Sequence, residues 1–235
     1  QFAREAFRVL VPGGHVFIAT SPLLSHLIYI PLIDTGFEKR GEIIRLVQTL
    51  RGGDRPKNAH KEFPNVTVMP RSCWEPWGLF RKPCEGRVQD NLRKWKAGGL
   101  RRISAEVPFC DVIQSSPTRA EERTIAPHPS LKPQTFMRQI VRASLPLGEG
   151  VVLDPFMGGG STVAAALAVG YESIGIEIDP IFFRIAQRAA PQLSHLSLNG
   201  KWKAQSNEEE AQVFFPLFDA QPGKNGLHAT RRARF

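Results

Sequence analysis

Two acidic side chains and a run of glycines are the residues of this sequence best suited to chemistry. Asp154 opens the stretch Asp154-Pro155-Phe156-Met157-Gly158-Gly159-Gly160-Ser161-Thr162, and Glu177 follows shortly after it. A carboxylate can accept hydrogen bonds from both hydroxyls of a ribose, and a second one nearby suits a ligand that carries an ammonium group. Glycines permit positive φ and let a ligand approach the backbone with no Cβ in the way. Two common phosphate loops fit poorly. A P-loop needs Lys after its last glycine, where this chain has Ser161, and a dinucleotide fingerprint needs a third glycine, where it has Val163. The two carboxylates instead suit a nucleoside with a positively charged amino-acid arm, which describes S-adenosylmethionine, against a plain tight turn between strand and helix.

The elements that position these groups are legible around them. Val151 to Asp154 has strand character and runs into the glycine turn, with Ser161 or Thr162 available as a helix cap. Val163 to Val169 is rich in helix formers and stops at Gly170. Ser173 to Ile178 reads as a second buried strand, and Asp179-Pro180 as the N-cap and first residue of a helix over Ile181–Ala190. This is a β-α-β-α unit of a doubly wound α/β sheet, which binds ligands at the carboxyl ends of its strands.

The same residues carry a resemblance. Asp154 to Thr162 resembles the D-P-F-x-G-x-G-T-T signature of the DNA amino-methyltransferases, which methylate the exocyclic amine of adenine or cytosine. His128-Pro129-Ser130-Leu131-Lys132-Pro133 is similar to the H-P-x-x-K-P element that this family places just before its D-P-F strand, and Arg8-Val9-Leu10-Val11-Pro12-Gly13-Gly14 to its R-V-L-x-P-G-G helix end. The resemblance covers about residues 1–190. It implies a Rossmann-like, S-adenosylmethionine-dependent methyltransferase sheet with an inserted target-recognition segment. Asp154, Pro155, Phe156, Gly158, Gly160, Thr162 and Glu177 would hold the cofactor, with Lys132 and Pro133 approaching its methionine or adenosine side. The implied layout is a catalytic half over 1–83, a target-recognition insert over 84–126, a cofactor half over 127–190 and a tail over 191–235.

No copy of the family's catalytic D/N/S-P-P-Y/F tetrapeptide is present; Ser21-Pro22-Leu23-Leu24 lacks the second proline and the aromatic. By resemblance that motif is expected upstream of Gln1, on a strand between the one ending at Asp154 and the one at Val16–Ala19. The expectation is a C-terminal portion of a longer methyltransferase, with two unpaired strand edges facing a gap, inactive or poorly folded alone.

Elsewhere the chain is read in order. Gln1–Leu10 shows a helical apolar stripe, His15–Thr20 a buried strand, Leu23–Ile33 a helix, Glu42–Val47 a strand, Arg51–Asp54 a turn and Trp77–Lys82 an antiparallel strand. Trp74, Trp77 and Phe80 read as packing for a hairpin edge rather than a base-stacking platform. Arg87, Arg93, Lys94, Lys96, Arg101 and Arg102 crowd around Trp95, a cluster suited to phosphate contacts. A helix begins at Pro133, Pro191–Gly200 reads as loop, and the acidic run Asn207–Glu210 and basic end Thr230–Arg234 as disordered termini.

Composition limits the partners. A formal charge of +9 favours an anionic one, and by resemblance that is double-stranded DNA, with a cognate restriction enzyme as a candidate companion. Cys73, Cys84 and Cys110 lack metal-ligand spacing and read as reduced thiols of a cytoplasmic protein with no metal site. The apolar stretch Val16–Ile33 is broken by Pro22, Pro31 and polar residues, so no membrane span is expected. Target base, recognition sequence and oligomeric state stay open. Two other readings compete: a non-catalytic DNA-binding or partner subunit that keeps the cofactor fold, and a nicotinamide dehydrogenase, which needs the missing glycine.

Overall fold

The computed structural model describes residues 1–47, 55–70 and 72–198. Its elements run α1 (Phe2–Val9), β1 (His15–Ala19), α2 (Ser25–Asp34), β2 (Glu38–Leu46), β3 (Trp74–Arg81), α3 (Val88–Trp95), β4 (Val112–Gln114), α4 (Ala120–Ile125), α5 (Gln134–Ser144), β5 (Val151–Asp154), α6 (Ser161–Val169), β6 (Glu172–Gly175) and α7 (Pro180–His195). The turn at Arg51–Asp54 and both charged runs of the tail lie outside the described residues.

The strands form two sheets. One has the order β1-β3-β2-β4, with β3 antiparallel to both β1 and β2, and β4 parallel to β2. The other is the parallel pair β5-β6, in which Asp154 faces Gly175. Among the described residues β5 pairs only with β6 and β1 only with β3, so each keeps one open edge. A bulge between Lys39 and Gly41 lets β2 start earlier than its apolar pattern suggests, with Lys39 and Arg40 on the exposed side.

Helix α5 joins the sheets. Its Phe136, Met137, Ile140 and Val141 pack in one core with Ile43, Trp77, Leu79 and Ile113 of the larger sheet and with Ala165 and Ala166 of α6. Trp77 and Phe136 meet edge to face with centroids 5.2 Å apart. That contact and the full burial of Phe80 make the aromatic trio a packing feature, with only Trp74 partly outside. On the opposite face of the larger sheet, Ala3 of α1 and Tyr29 and Leu32 of α2 cover Phe80.

Three sequence expectations are revised. Gly160, in the left-handed region at φ +84°, is the N-cap of α6, and neither Ser161 nor Thr162 caps it. Instead Ser161 Oγ accepts the Lys132 backbone N–H at 3.1 Å, tying the segment before α5 to the start of α6. Helix α7 continues through Pro191 to His195 rather than ending at Ala190, because Ala186, Ala189, Ala190 and Leu193 form one buried stripe beneath it. Strand β6 ends at Gly175, so Glu177 stands beyond it on the way to α7. Within the 84–126 stretch, β4 pairs in parallel with β2 at the edge of the larger sheet.

Candidate cofactor site

Asp154 and Glu177 come together because β5 and β6 run in parallel and end side by side. The loops crossing those ends are laced by backbone bonds: Ile176 N–H donates to Asp154 O at 2.9 Å and Met157 N–H to Ile176 O at 3.0 Å. The Asp154 carboxylate accepts the Phe156 N–H through Oδ1 at 3.0 Å. Glu177 accepts Gly158 N–H through Oε2 and Asp179 N–H through Oε1, both at 2.9 Å. These backbone donors, Asp179 first, hold the Glu177 carboxyl below the usual carboxylate range, so it is ionised. Asp179 in turn caps α7 by accepting the N–H groups of Ile181 and Phe182.

Each of these carboxylate oxygens retains unused lone pairs, because a carboxylate offers about four acceptor sites. Beside them Phe156 is 71% exposed and Ile178 97% exposed. Large apolar side chains next to ionised oxygens are costly to leave in water and suit a ligand with an apolar ring and polar hydroxyls. The donor set therefore fits a nucleoside with a cationic arm.

The glycines serve a purpose that their sequence did not reveal. A Cβ on Gly158 would lie 2.8 Å from His128 Cε1, and one on Gly159 2.9 Å from His128 Cβ and 3.0 Å from Leu131 Cδ1. The side-chain-free surface of the turn is thus filled by the segment His128–Pro133, while Gly158 turns its N–H to Glu177. His128 is fixed in turn by Phe182 of α7, edge to face at 4.4 Å, and by the Ser130 N–H donated to Nδ1. The H-P-x-x-K-P pattern was the signal for His128, but sequence spacing gave no hint that its ring clamps the turn.

Lys132 and Pro133 flank this clamp. Pro133 is fully buried as the N-cap of α5. Lys132 Nζ donates to Glu75 Oε1, whose other oxygen accepts Arg45 Nη1 at 2.8 Å. Thr162 is half-buried in the first turn of α6, and Pro155 half-buried behind Asp154. These contacts put the start of β3, the start of α6 and the ends of β5 and β6 at one pole.

The basic cluster lies at the other pole. Asn91 of α3 is fully buried and donates to Pro12 O, just before β1, and to Ala97 O. Arg101 donates to the Tyr171 hydroxyl at the start of β6, and Arg142, at the end of α5, donates to Arg102 O. Strand β6 separates this group from Glu177 by roughly 13 Å of backbone. Arg93 pairs with Asp90, Lys94 with Glu85, and the Arg102 guanidinium bonds the carbonyls of Ser104, Ala105 and Glu106, while Lys96 is the left-handed C-cap of α3. The structure does not bring these five residues together with the acids.

Among the described residues no cluster of His, Cys, Asp or Glu could hold a metal ion, and no helix is long and apolar enough to cross a membrane.

Comparison with known proteins agrees with this geometry. A DNA methylase family model of the N6/N4 type matches residues 1–188. The chain is 40% identical over 70 residues to the DNA adenine methyltransferase YhdJ of Escherichia coli, covering 30% of this chain and 24% of that protein. It is 25% identical over 206 residues to the type II methyltransferase M.HindIII of Haemophilus influenzae, covering 79% and 66%. The matched segments thus span from a quarter to just under two thirds of these two relatives. Among solved structures, the M1.HpyAVI–SAM complex matches with a TM-score of 0.57 at 21% identity, over 83% of this chain and 81% of that one. The cytosine-N4-specific PvuII DNA methyltransferase matches with 0.56 at 16%, over 84% and 69%. At these identities the solved structures establish the fold, a Rossmann-like methyltransferase sheet. The family model covers most of the chain, and on that basis the protein belongs to the N6/N4 DNA methylase family.

Proposed function

We propose that this chain acts as an S-adenosylmethionine-dependent DNA methyltransferase, directed at the exocyclic amine of adenine or cytosine. The observation that carries this reading is the ionised Glu177 carboxylate beside Asp154, flanked by the exposed Ile178. When bound, the cofactor supplies a methyl group activated by its sulfonium.

The chain's own residues bind and orient. Glu177 accepts the ribose hydroxyls with lone pairs not used by Gly158 and Asp179, and Asp154 accepts the ammonium group through its remaining oxygen. Phe156 and Ile178 supply apolar contact for the adenine ring. Clamped between Glu177 and His128, the glycine turn holds these groups in place before the ligand arrives. Lys132 is balanced by Glu75 and acts through position rather than as a free cation.

An exocyclic amine is a poor nucleophile because its lone pair is delocalised into the ring, so a hydrogen-bond acceptor for it is required. We assign that acceptor to a further strand between β5 and β1, bearing an Asp/Asn/Ser-Pro-Pro-aromatic motif. The open edges of β5 and β1 support this reading, and the described residues alone are then inactive. Double-stranded DNA approaches the pole of Asp154 and Glu177, where the chain between β2 and β3 carries Arg55, Lys57 and Lys61. The basic cluster of the opposite pole then contributes at most long-range attraction. A cognate restriction enzyme is the expected companion in a cytoplasmic restriction-modification pair.

Titration calorimetry with S-adenosylmethionine tests the central assignment. The wild-type chain is expected to bind, and Asp154→Ala to lose at least 100-fold in affinity while keeping its circular-dichroism spectrum. Equal affinity of the two proteins would remove Asp154 from the site, and a folded wild type that does not bind would remove the cofactor.

A further inference from the structure

The pole away from the acids holds a cleft that the cofactor site does not use. Its volume is about 540 Å³, and Leu92, Leu100, Arg101, Arg102, Arg142 and Leu147 line it. Sites for small ligands run from roughly 300 to 1,000 Å³. The three arginines differ from the rest of the basic cluster. Arg87 and Arg93 pair with Asp90, and Lys94 with Glu85, whereas among the described residues Arg101, Arg102 and Arg142 form no ion pair. Glu106, in the same loop, turns its carboxylate to Ser104 Oγ at 3.1 Å instead. Neutral acceptors hold the guanidiniums. Arg101 Nη1 donates to the Tyr171 hydroxyl at 2.7 Å, Arg142 Nη1 and Nη2 to Arg102 O and Ile103 O at 2.7 and 3.3 Å, and Arg102 to the carbonyls of Ser104, Ala105 and Glu106. Such bonds fix the groups without cancelling their charge. Burial, then the charge of Arg101, pushes Arg142 below the usual arginine range. The C-terminus of α5, where Ala143 O accepts the Arg101 N–H, offers only about half a negative charge against three positive ones.

We propose that this cleft binds a phosphate monoester, its phosphate on the three guanidiniums and its apolar body on Leu92, Leu100 and Leu147. A tetrahedral phosphate presents three free oxygens to three donors at once, whereas a carboxylate presents two in one plane. A monoester carries nearly two negative charges near neutral pH, and a phosphodiester of DNA only one, so three uncancelled cations match the monoester better. Guanidiniums already fixed by carbonyls lose little freedom when the anion arrives. Leu147 is 49% exposed at the rim, and covering it favours a ligand with an apolar part over bare inorganic phosphate.

Titration calorimetry of the full chain with phenyl phosphate, at about pH 7.5 and constant ionic strength, tests the site. Saturable one-to-one binding is expected, with benzoate at least about 10-fold weaker. Arg102→Gln and Arg142→Gln are each expected to lose about 10-fold in affinity. Leu147→Trp, which fills the cleft and leaves every charge in place, is expected to abolish binding. Lys94→Gln, which removes a positive charge outside the cleft, is expected to change nothing. Arg102 and Leu147 are exposed, so their variants keep the far-ultraviolet spectrum and decide the outcome even where Arg142→Gln unfolds. No binding by the wild type, equal affinity for benzoate, full binding by Leu147→Trp, or a loss in Lys94→Gln as large as that in Arg102→Gln overturns the proposal. So does a short DNA duplex that binds through Arg102 and Arg142 where phenyl phosphate does not, a result that would give the cleft to the DNA backbone. The inference stands apart from the methyltransferase reading, since phenyl phosphate reports one and S-adenosylmethionine the other.

Discussion

The four-stranded and two-stranded sheets of this protein solve opposite problems. In the larger sheet, β3 is buried from Pro76 to Arg81, with Phe80 fully enclosed between helices. In the smaller, both strands alternate between exposed and half-buried, and neither contains a fully buried residue. Yet the smaller sheet carries the acids and the glycine turn. The difference teaches that ligand groups are held here not by a deep strand core but by the helices behind it, α5, α6 and α7, and by hydrogen bonds to backbone N–H groups. Under the proposed function, stability and ligand recognition fall to different halves.

The largest expected test of that division is Phe136→Ala. The ring is fully buried in the core shared by both halves, so its removal should cost about 3–5 kcal/mol in denaturant unfolding. Val151→Ala, on the half-exposed strand, should cost less than about 1 kcal/mol. Comparable losses would mean that the small sheet is as tightly built as the large one.

A smaller effect comes from acid. Burial, then the nearby Arg81 and Arg40, holds His15 down to about 4 from 6.5. Between these values the unfolded chain binds a proton that the folded one does not, so stability rises with pH across this window and is lost on acidification. The loss from pH 6.5 to 4 should approach about 3 kcal/mol, and His15→Asn should flatten that profile. Glu177 acts in the same direction but only at lower pH. Its folded pKa is depressed, so its contribution is present above its ordinary value of 4.5 and falls away only below that. Unfolding by acid should therefore begin in the four-stranded half. Losing S-adenosylmethionine binding above pH 5.5 with the fold intact would contradict that order.

The finest comparison is between two glycines on strands. A Cβ on Gly78 would press on the rings of Tyr29 and Phe80, which cannot yield, whereas one on Gly175 would overlap Met157 Sδ and a Val163 methyl. Gly78→Ala should cost about 1–3 kcal/mol and Gly175→Ala less, because a methionine side chain repacks. Thermal melts of the two variants check the ranking, and the reverse order would show that Met157 is the more rigid neighbour.

Much of the cofactor half was legible in the sequence because its signals are local. Asp179-Pro180 marks a helix start, Gly170 a helix end, and Asp154 a strand tip whatever lies around them. The end of α7 was not legible, since Pro191 signals a break that only the buried stripe of alanines and Leu193 overrides. Nor was the basic cluster's place. Arg93, Lys94, Arg101 and Arg102 look alike in sequence to any phosphate-binding group, and only Asn91, Tyr171 and Arg142 reveal to which pole the chain has carried them. The clamp of His128 on Gly158 links residues 30 positions apart, beyond any spacing rule.

The shared core around α5 has a consequence for the order in which the chain takes shape on the ribosome. All four strands of the larger sheet precede Gln134, so they can pair while the later segments are still being made. Among the described residues their inner face, with Ile43, Trp77, Leu79 and Ile113, has only partial cover, from Leu100 and Phe109, until α5 emerges. Synthesis therefore passes through an interval in which a paired sheet shows a half-covered aliphatic and aromatic face. The length of that interval, rather than the stability of the finished molecule, sets how strongly the nascent chain depends on chaperones.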